Sequence, residues 1–319
     1  MRKIPEKYLK PFDYLFLFRP TLFFPVWIIV MSGLCSGHFF AGNPIWWSFS
    51  ISGSNVLVFF LVTLACGATF ILNQLQSSGE VQSKRFITLI SSDNIRAEAA
   101  RKIAITSIII SLAGLILIDI QVLIFMTFVV LLWGYMFNYK PFEWKNSLPM
   151  GIIVYLISGL LLFLIGWTLS GNNPFDAMQV AIPYVTAWMS VVLLTLIDFS
   201  RDESSGLTVE IKSRRRTTGA ISLILLIITF ILSLINQDPI ISLPSLLSLP
   251  LFITMVIKPT ESWIIRSIRY PILFLALLLS CEYPLFFLVL LTSYHLCKNY
   301  YYSRFNLIYP TFQVGEEAL

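Results

Sequence analysis

Apolar positions in this chain do not alternate with polar ones, nor do they follow one face of a helix. They fall in long runs near 14–39, 54–76, 97–118, 120–138, 147–170, 177–197, 217–235 and 240–257, and a further apolar stretch covers 269–297. Runs of this length cross a hydrocarbon core about 30 Å thick as helices, because only a helix satisfies its own backbone polar groups in lipid. Short segments alternating at period two, the mark of a membrane barrel, are absent from the sequence. The pattern predicts an all-α polytopic membrane bundle of about nine transmembrane helices.

Composition agrees. The 319 residues are 57% hydrophobic and only 12% charged, with a mean hydropathy of +0.80. An ordinary soluble domain carries about a quarter charged residues, and a disordered chain is far less apolar. The net charge of +5 matters through its placement. The connections 40–53, 119–121, 171–176 and 236–239 contain no Lys or Arg. The alternate set is basic: Arg2, Lys3, Lys7 and Lys10; Lys84, Arg85, Arg96, Arg101 and Lys102; Lys140 and Lys145; Arg201, Lys212 and Arg214 to Arg216; Lys258, Arg266 and Arg269. The positive-inside rule puts the N-terminus and these loops in the cytoplasm. Charged residues continue to Asp13 before the first apolar run, which does not fit a cleaved signal peptide. Two arrangements fit the stretch 269–297, which Glu282-Tyr283-Pro284 interrupts: one kinked helix with the tail outside, or two arms turning at Glu282 with the tail inside.

No linker or low-complexity tract divides the chain, so residues 1–319 read as one transmembrane domain. Two polar cytoplasmic loops, 73–96 and 198–216, stand out from otherwise short connections, and long polar loops on a compact bundle are where function concentrates. The second contains Asp198 and Asp202 at i, i+4, on one face of a continuing helix. Like charges there repel unless a cation sits between them, and Mg²⁺ is commonly held by one or two carboxylates together with substrate phosphates. Arg201 adds a positive charge. A solvated helix end with a local Asp–Arg pair is the plainer account of the same spacing. The first loop opens with the amides Asn73, Gln74 and Gln76, which at that depth need partners or a wet cavity; interhelical hydrogen bonding would also serve.

The chain resembles the UbiA superfamily of intramembrane prenyltransferases over nearly its whole length. Leu17-Phe18-Arg19-Pro20 with Phe24-Pro25-Val26-Trp27 is similar to that family's first helix. Ile71-Leu72-Asn73-Gln74 is similar to the start of its first aspartate-rich motif, Asn-x-x-x-Asp-x-x-x-Asp. Pro141-Phe142-Glu143-Trp144-Lys145 resembles the loop between its fourth and fifth helices, Gly166-Trp167 the end of its fifth, and Asp198-x-x-x-Asp202-x-x-x-Gly206 its second motif. The resemblance implies a nine-helix bundle whose cytoplasmic motifs hold Mg²⁺ and the diphosphate of an isoprenoid donor, and whose central cavity delivers the prenyl group to a small lipophilic acceptor. It implies Asp198 and Asp202 as metal ligands with Asn73 as an auxiliary one, and Arg19, Arg85, Lys145, Arg201 and Glu80 around the substrate. The chain also departs from the pattern. Ser77 and Val81 stand at the two aspartate positions of the first motif, with Glu80 one position off. Phe137 replaces a customary tyrosine, between Tyr135 and Tyr139.

These departures keep a second function open: a non-catalytic protein binding a polyisoprenoid or quinone, or the partner of an active paralogue or of a second copy. An isoprenoid cyclase or phosphatase is a third, and a transporter fits least. Trp46, Trp47, Trp133, Trp144 and Trp167 read mainly as an interfacial belt, a minority as cavity lining. Tyr300 to Phe305 reads as an interfacial anchor, Glu282 as a turn at the outer surface, and Cys35, Cys66, Cys281 and Cys297 as small thiols packed between helices. His38 and His295 have no ligand partner at helical spacing. Arg214 to Arg216 suits anionic lipid headgroups, not nucleic acid.

Overall fold

The computed structural model describes residues 6–42, 52–77, 89–90, 95–199, 208–307 and 309–310. Among them the chain forms eleven α-helices: α1 (Glu6–Phe16), α2 (Phe23–Phe40), α3 (Gly53–Ser77), α4 (Ala97–Ile116), α5 (Ile120–Val129), α6 (Leu148–Leu169), α7 (Ala177–Phe199), α8 (Thr208–Ile235), α9 (Pro239–Ile257), α10 (Glu261–Glu282) and α11 (Pro284–Phe305). A π-helical segment, Val130–Met136, continues α5. Eight stretches are long and apolar enough to cross a membrane, and Ile120–Met136 is a shorter apolar helix, so the all-α membrane bundle expected from the sequence is what forms.

Helix ends follow local chemistry. Asp119 accepts from the backbone N–H groups of Gln121 (2.7 Å) and Val122 (3.1 Å) and starts α5. Asp238 does the same for α9 through Ile240 N–H (3.0 Å). Pro284 opens α11, where a missing N–H costs nothing. The apolar stretch 269–297 therefore splits into two helices turning at Tyr283, and α10 begins earlier than its apolar run, at Glu261. The α11 end returns to α1. Tyr300 donates to Asp13 (2.5 Å), Arg304 pairs with it (3.3 Å), and Phe16 stacks on Tyr300 with centroids 3.6 Å apart. Tyr300 and Tyr301 are buried, so this segment is a core contact rather than an interfacial anchor. Helix α8 likewise begins at Thr208, which puts Arg214 to Arg216 on a helix, not in a loop.

The centre of the bundle is the contact of α2 with α6. A Cβ placed on Gly33 would lie 2.0 Å from the Phe163 carbonyl oxygen, and one on Gly166 would lie 1.8 Å from the Val30 carbonyl oxygen. Each glycine thus lets the other helix's backbone touch its own, the small-residue contact that replaces the hydrophobic drive in lipid. One turn beyond Gly33, a Cβ on Gly37 would lie 2.1 Å from the Ser170 side-chain Oγ, just past the end of α6.

At the end of the bundle away from Asp13, buried polar groups tie five helices together. Asp238 accepts from Tyr184 (2.8 Å) and Ser36 (3.3 Å). Burial pushes its carboxyl above the ordinary value, and these hydrogen bonds pull it back. Glu282, on the last turn of α10, is 3% exposed and lies 3.7 Å from His38, which also bonds Tyr283 (2.8 Å). It stands at the expected turn but inside the protein, not at its surface. Cys35, Cys66 and Cys297 are buried free thiols, whereas Cys281 is exposed and does not pack between helices.

Gly166→Ala should force α2 and α6 apart. We expect the variant to lose about 3 kcal/mol or more, read as a clear fall in melting temperature in detergent. Gly53→Ala, where a Cβ meets nothing within 4 Å, should melt like the wild type. Equal melting of the two variants would show that the α2–α6 contact is not tight.

Candidate functional site

The site grows from the end of α3. Gln74 is buried and donates to the Leu17 carbonyl (2.8 Å). That carbonyl is available because α1 stops at Phe16 and the chain turns through Arg19, which takes a left-handed conformation (φ 53°) before Pro20. Gln74 is therefore a brace between α3 and the start of α2. Asn73, one residue earlier, is half-buried and lines a cavity of about 150 Å³. The walls are aromatic: Phe70 from α3, Trp133 and Phe137 from the π-helical segment and its end, Tyr155 from α6 and Trp188 from α7.

The π-helical turn places two of these rings. Phe137 N–H bonds the Leu132 carbonyl (2.9 Å), five residues back, and so passes over Trp133. The Trp133 carbonyl is taken instead by the side-chain amide of buried Asn138 (2.6 Å). Trp133 is 9% exposed, packs against Phe70 (5.8 Å between centroids), and its indole N–H has no partner among the described residues. A buried donor without an acceptor is costly, and here it stands in a cavity wall. Tyr135 and Tyr139 stack on each other (6.0 Å) and neither lines the cavity, so the hydroxyl lost at Phe137 is not restored by its neighbours.

The other residues expected from the sequence surround this cavity to different degrees. Leu22, which lines it, donates its N–H to the Arg19 carbonyl (2.9 Å). Lys145 sits on a single 3₁₀ turn, Trp144–Asn146, whose Lys145 N–H bonds the Phe137 carbonyl (3.1 Å). Asp198 is in the last turn of α7, ten residues or about 15 Å of helix beyond Trp188. Asp202, Glu80, Arg85 and Arg201 lie outside the described residues, as do Trp46 and Trp47. Asn73 thus reaches the cavity itself, while Arg19 and Lys145 are held one hydrogen bond from residues that line it. Of the tryptophans read as a belt, Trp133 is a cavity wall and Trp167 is buried with its indole N–H on the Asn173 carbonyl (3.0 Å). Trp188 and Tyr155 carry no signal in the sequence that separates them from other aromatic residues of apolar runs.

Among the described residues no group of three His, Cys, Asp or Glu side chains forms a metal site. Of the residues expected to hold Mg²⁺, Asn73 lines the cavity and carries an amide oxygen, a hard ligand of the kind Mg²⁺ takes, and Asp198 belongs to the last turn of α7.

No protein-family model matches this sequence, and no curated protein matches it. Shape does what sequence does not. A structure of a digeranylgeranylglyceryl phosphate synthase superposes with a TM-score of 0.61 at 17% identity, over 86% of this chain and 97% of that one. The chain has the UbiA fold. A UbiA homologue from Archaeoglobus fulgidus matches at a TM-score of 0.59 and 18% identity, and the same protein bound to GPP and Mg²⁺ at 0.57 and 17%, each over 86% of this chain and 99% of the other. With this UbiA fold and its apolar helices the protein is an integral membrane protein.

Asn138→Ala should strand the Trp133 carbonyl that the π-helical turn leaves open. The expected cost is about 1–3 kcal/mol, seen as a lower melting temperature and a shifted tryptophan emission. A variant that melts and emits like the wild type would show that another group takes that carbonyl.

Proposed function

We propose that the protein is an intramembrane prenyltransferase that binds an isoprenoid diphosphate at the end of the bundle where α3 and α7 finish, and transfers the prenyl group to a small lipophilic acceptor. The observation that carries this reading is the aromatic cavity directly beneath Asn73, with the unpartnered Trp133 indole N–H in its wall, in a fold for which a solved relative is bound to GPP and Mg²⁺. The site faces the cytoplasm, because the opposite connections carry no Lys or Arg.

Each part of the site has a defined task. Asp198 and Asp202, with the Asn73 amide, hold Mg²⁺, which when bound neutralises charge on the diphosphate oxygens. Arg19, Arg85, Lys145 and Arg201 supply further positive charge to the leaving diphosphate, Arg with two-pronged geometry. Glu80, the carboxylate beside Val81 in the first polar loop, is assigned to the surroundings of the substrate. The allylic C–O bond breaks with its electron pair going to the diphosphate, leaving a cation on the prenyl carbon. The faces of Phe70, Trp133, Phe137, Tyr155 and Trp188 stabilise that cation, and their bulk excludes water that would otherwise capture it. An electron-rich acceptor carbon or oxygen then forms the new bond and releases a proton.

Ser77 and Val81 supply a specific reason to keep a second reading, a non-catalytic lipid- or quinone-binding protein or the partner of an active paralogue. Two carboxylates fewer hold less charge against the hydration shell of a divalent ion.

The test is binding of radiolabelled geranylgeranyl diphosphate to the purified protein, with Mg²⁺ or with EDTA. We expect Mg²⁺-dependent binding that the Asp198→Asn/Asp202→Asn double variant weakens by more than about tenfold. Equal binding by the double variant would remove these two residues from the site. No binding by the wild type would overturn the transferase reading in favour of the second.

A further inference from the structure

A second cavity, of about 80 Å³, lies on the other side of Trp188. The two cavities share Trp188, Pro25 and Ile29 and no other wall residue. On α2 and α6 the second cavity reaches further from the Asn73 end than the first, to Ser32 past Ile29 and to Phe163 past Tyr155, and on α7 it runs from Tyr184 to Val191, on either side of Trp188. They are therefore two adjoining chambers with Trp188 between them, the first of them at Asn73.

The second chamber offers nothing to a polar ligand. No charged side chain is among the residues that line it. Its hydroxyls are all engaged elsewhere. Ser32, Ser245 and Ser248 each donate to the carbonyl four residues back on their own helix (2.7, 2.7 and 2.6 Å), and Ser190 donates to the Ala187 carbonyl (2.7 Å). The Tyr184 hydroxyl is turned onto Asp238 (2.8 Å). What remains is a hydrocarbon surface.

The partition between the chambers is fixed. The Trp188 indole N–H donates to the Tyr155 carbonyl (3.1 Å). Its ring rests on the bare backbone of α6 at Gly159, where a Cβ would lie 2.9 Å from both Cδ1 and Nε1. The indole is thus held by one bond to Tyr155, a wall residue of the first chamber, and one flat contact with Gly159, a wall residue of the second.

We propose that Trp188 is the residue that sets donor chain length: the first chamber takes the isoprene units next to the diphosphate, and the indole bars the tail from the second. This rests on the proposed function and extends it to substrate selection. Removing the indole joins the chambers and gives a longer tail new apolar surface to bury, which is where the affinity of an isoprenoid tail comes from.

The experiment compares binding of geranyl, farnesyl and geranylgeranyl diphosphates to the wild type, Trp188→Phe and Trp188→Ala, with melting temperatures to confirm that each is folded. The preference for the C20 over the C10 donor should rise by about tenfold or more in Trp188→Ala, less in Trp188→Phe. Adding Leu275→Trp, which refills the second chamber, should cancel the gain. An unchanged C20-to-C10 ratio in variants that still bind would overturn the role of Trp188 and leave the transferase reading standing. No binding of any of the three by the wild type would overturn both.

Discussion

The bundle depends on two backbones being allowed to touch. Gly33 and Gly166 face each other's helices so closely that either Cβ would fall within 2.0 Å of a carbonyl oxygen. In water such an approach would be one contact among many. In lipid, where burying an apolar side chain gains little over leaving it among acyl chains, close packing is the main force that holds helices together. Everything described around the site hangs on this crossing. Helix α2 supplies Pro25 and Ile29 to both cavities, α6 supplies Tyr155 and Gly159, and the separation of the two helices sets the width of the space between them.

Polar groups then divide the two ends. The Asn73 end has the basic connections and the strained turn at Arg19; the other has Asp238 and Glu282, buried among Tyr184, Ser36, His38, Cys35, Tyr283 and backbone N–H groups. Between them most Ser and Thr hydroxyls of the helices return to their own backbone, while those of Ser111, Ser158 and Ser222 are buried without a partner among the described residues. Among the described residues the Trp133 indole is the one of these unpartnered buried donors that stands in the wall of the Asn73 cavity.

The membrane helices were legible because a span leaves no alternative, since the run must be apolar and long, whereas α8 and α10 extend past their apolar runs into polar turns. The C-terminal stretch was harder, since 29 apolar residues fit one helix or two; Pro284 after a non-helical Tyr283 decides it, a feature visible in the sequence but not ranked by it. The amides Asn73, Gln74 and Gln76 at the edge of an apolar run were legible as needing a partner or a cavity, and Gln74 found the first and Asn73 the second. Trp133 and Trp188 were not, because which face of an all-apolar helix looks inward depends on its neighbours, and the π-helical turn that rotates Trp133 leaves no compositional mark. Asn138 is the trace of it, a buried amide five residues after the carbonyl it serves.

Asp13 meets Tyr300 across 287 residues of chain. In a membrane protein assembled helix by helix as it leaves the ribosome, this places the docking of the first segment at the end of synthesis. Until α11 has been inserted, Asp13 lacks the Tyr300 hydroxyl and the Arg304 guanidinium, and the ring of Phe16 lacks the face it stacks on. The half of the bundle that carries Asn73 can therefore be threaded into the bilayer early, yet take its final form only after the last helix arrives. A chain stalled short of Tyr300 would hold its spans and lack the seam that closes them.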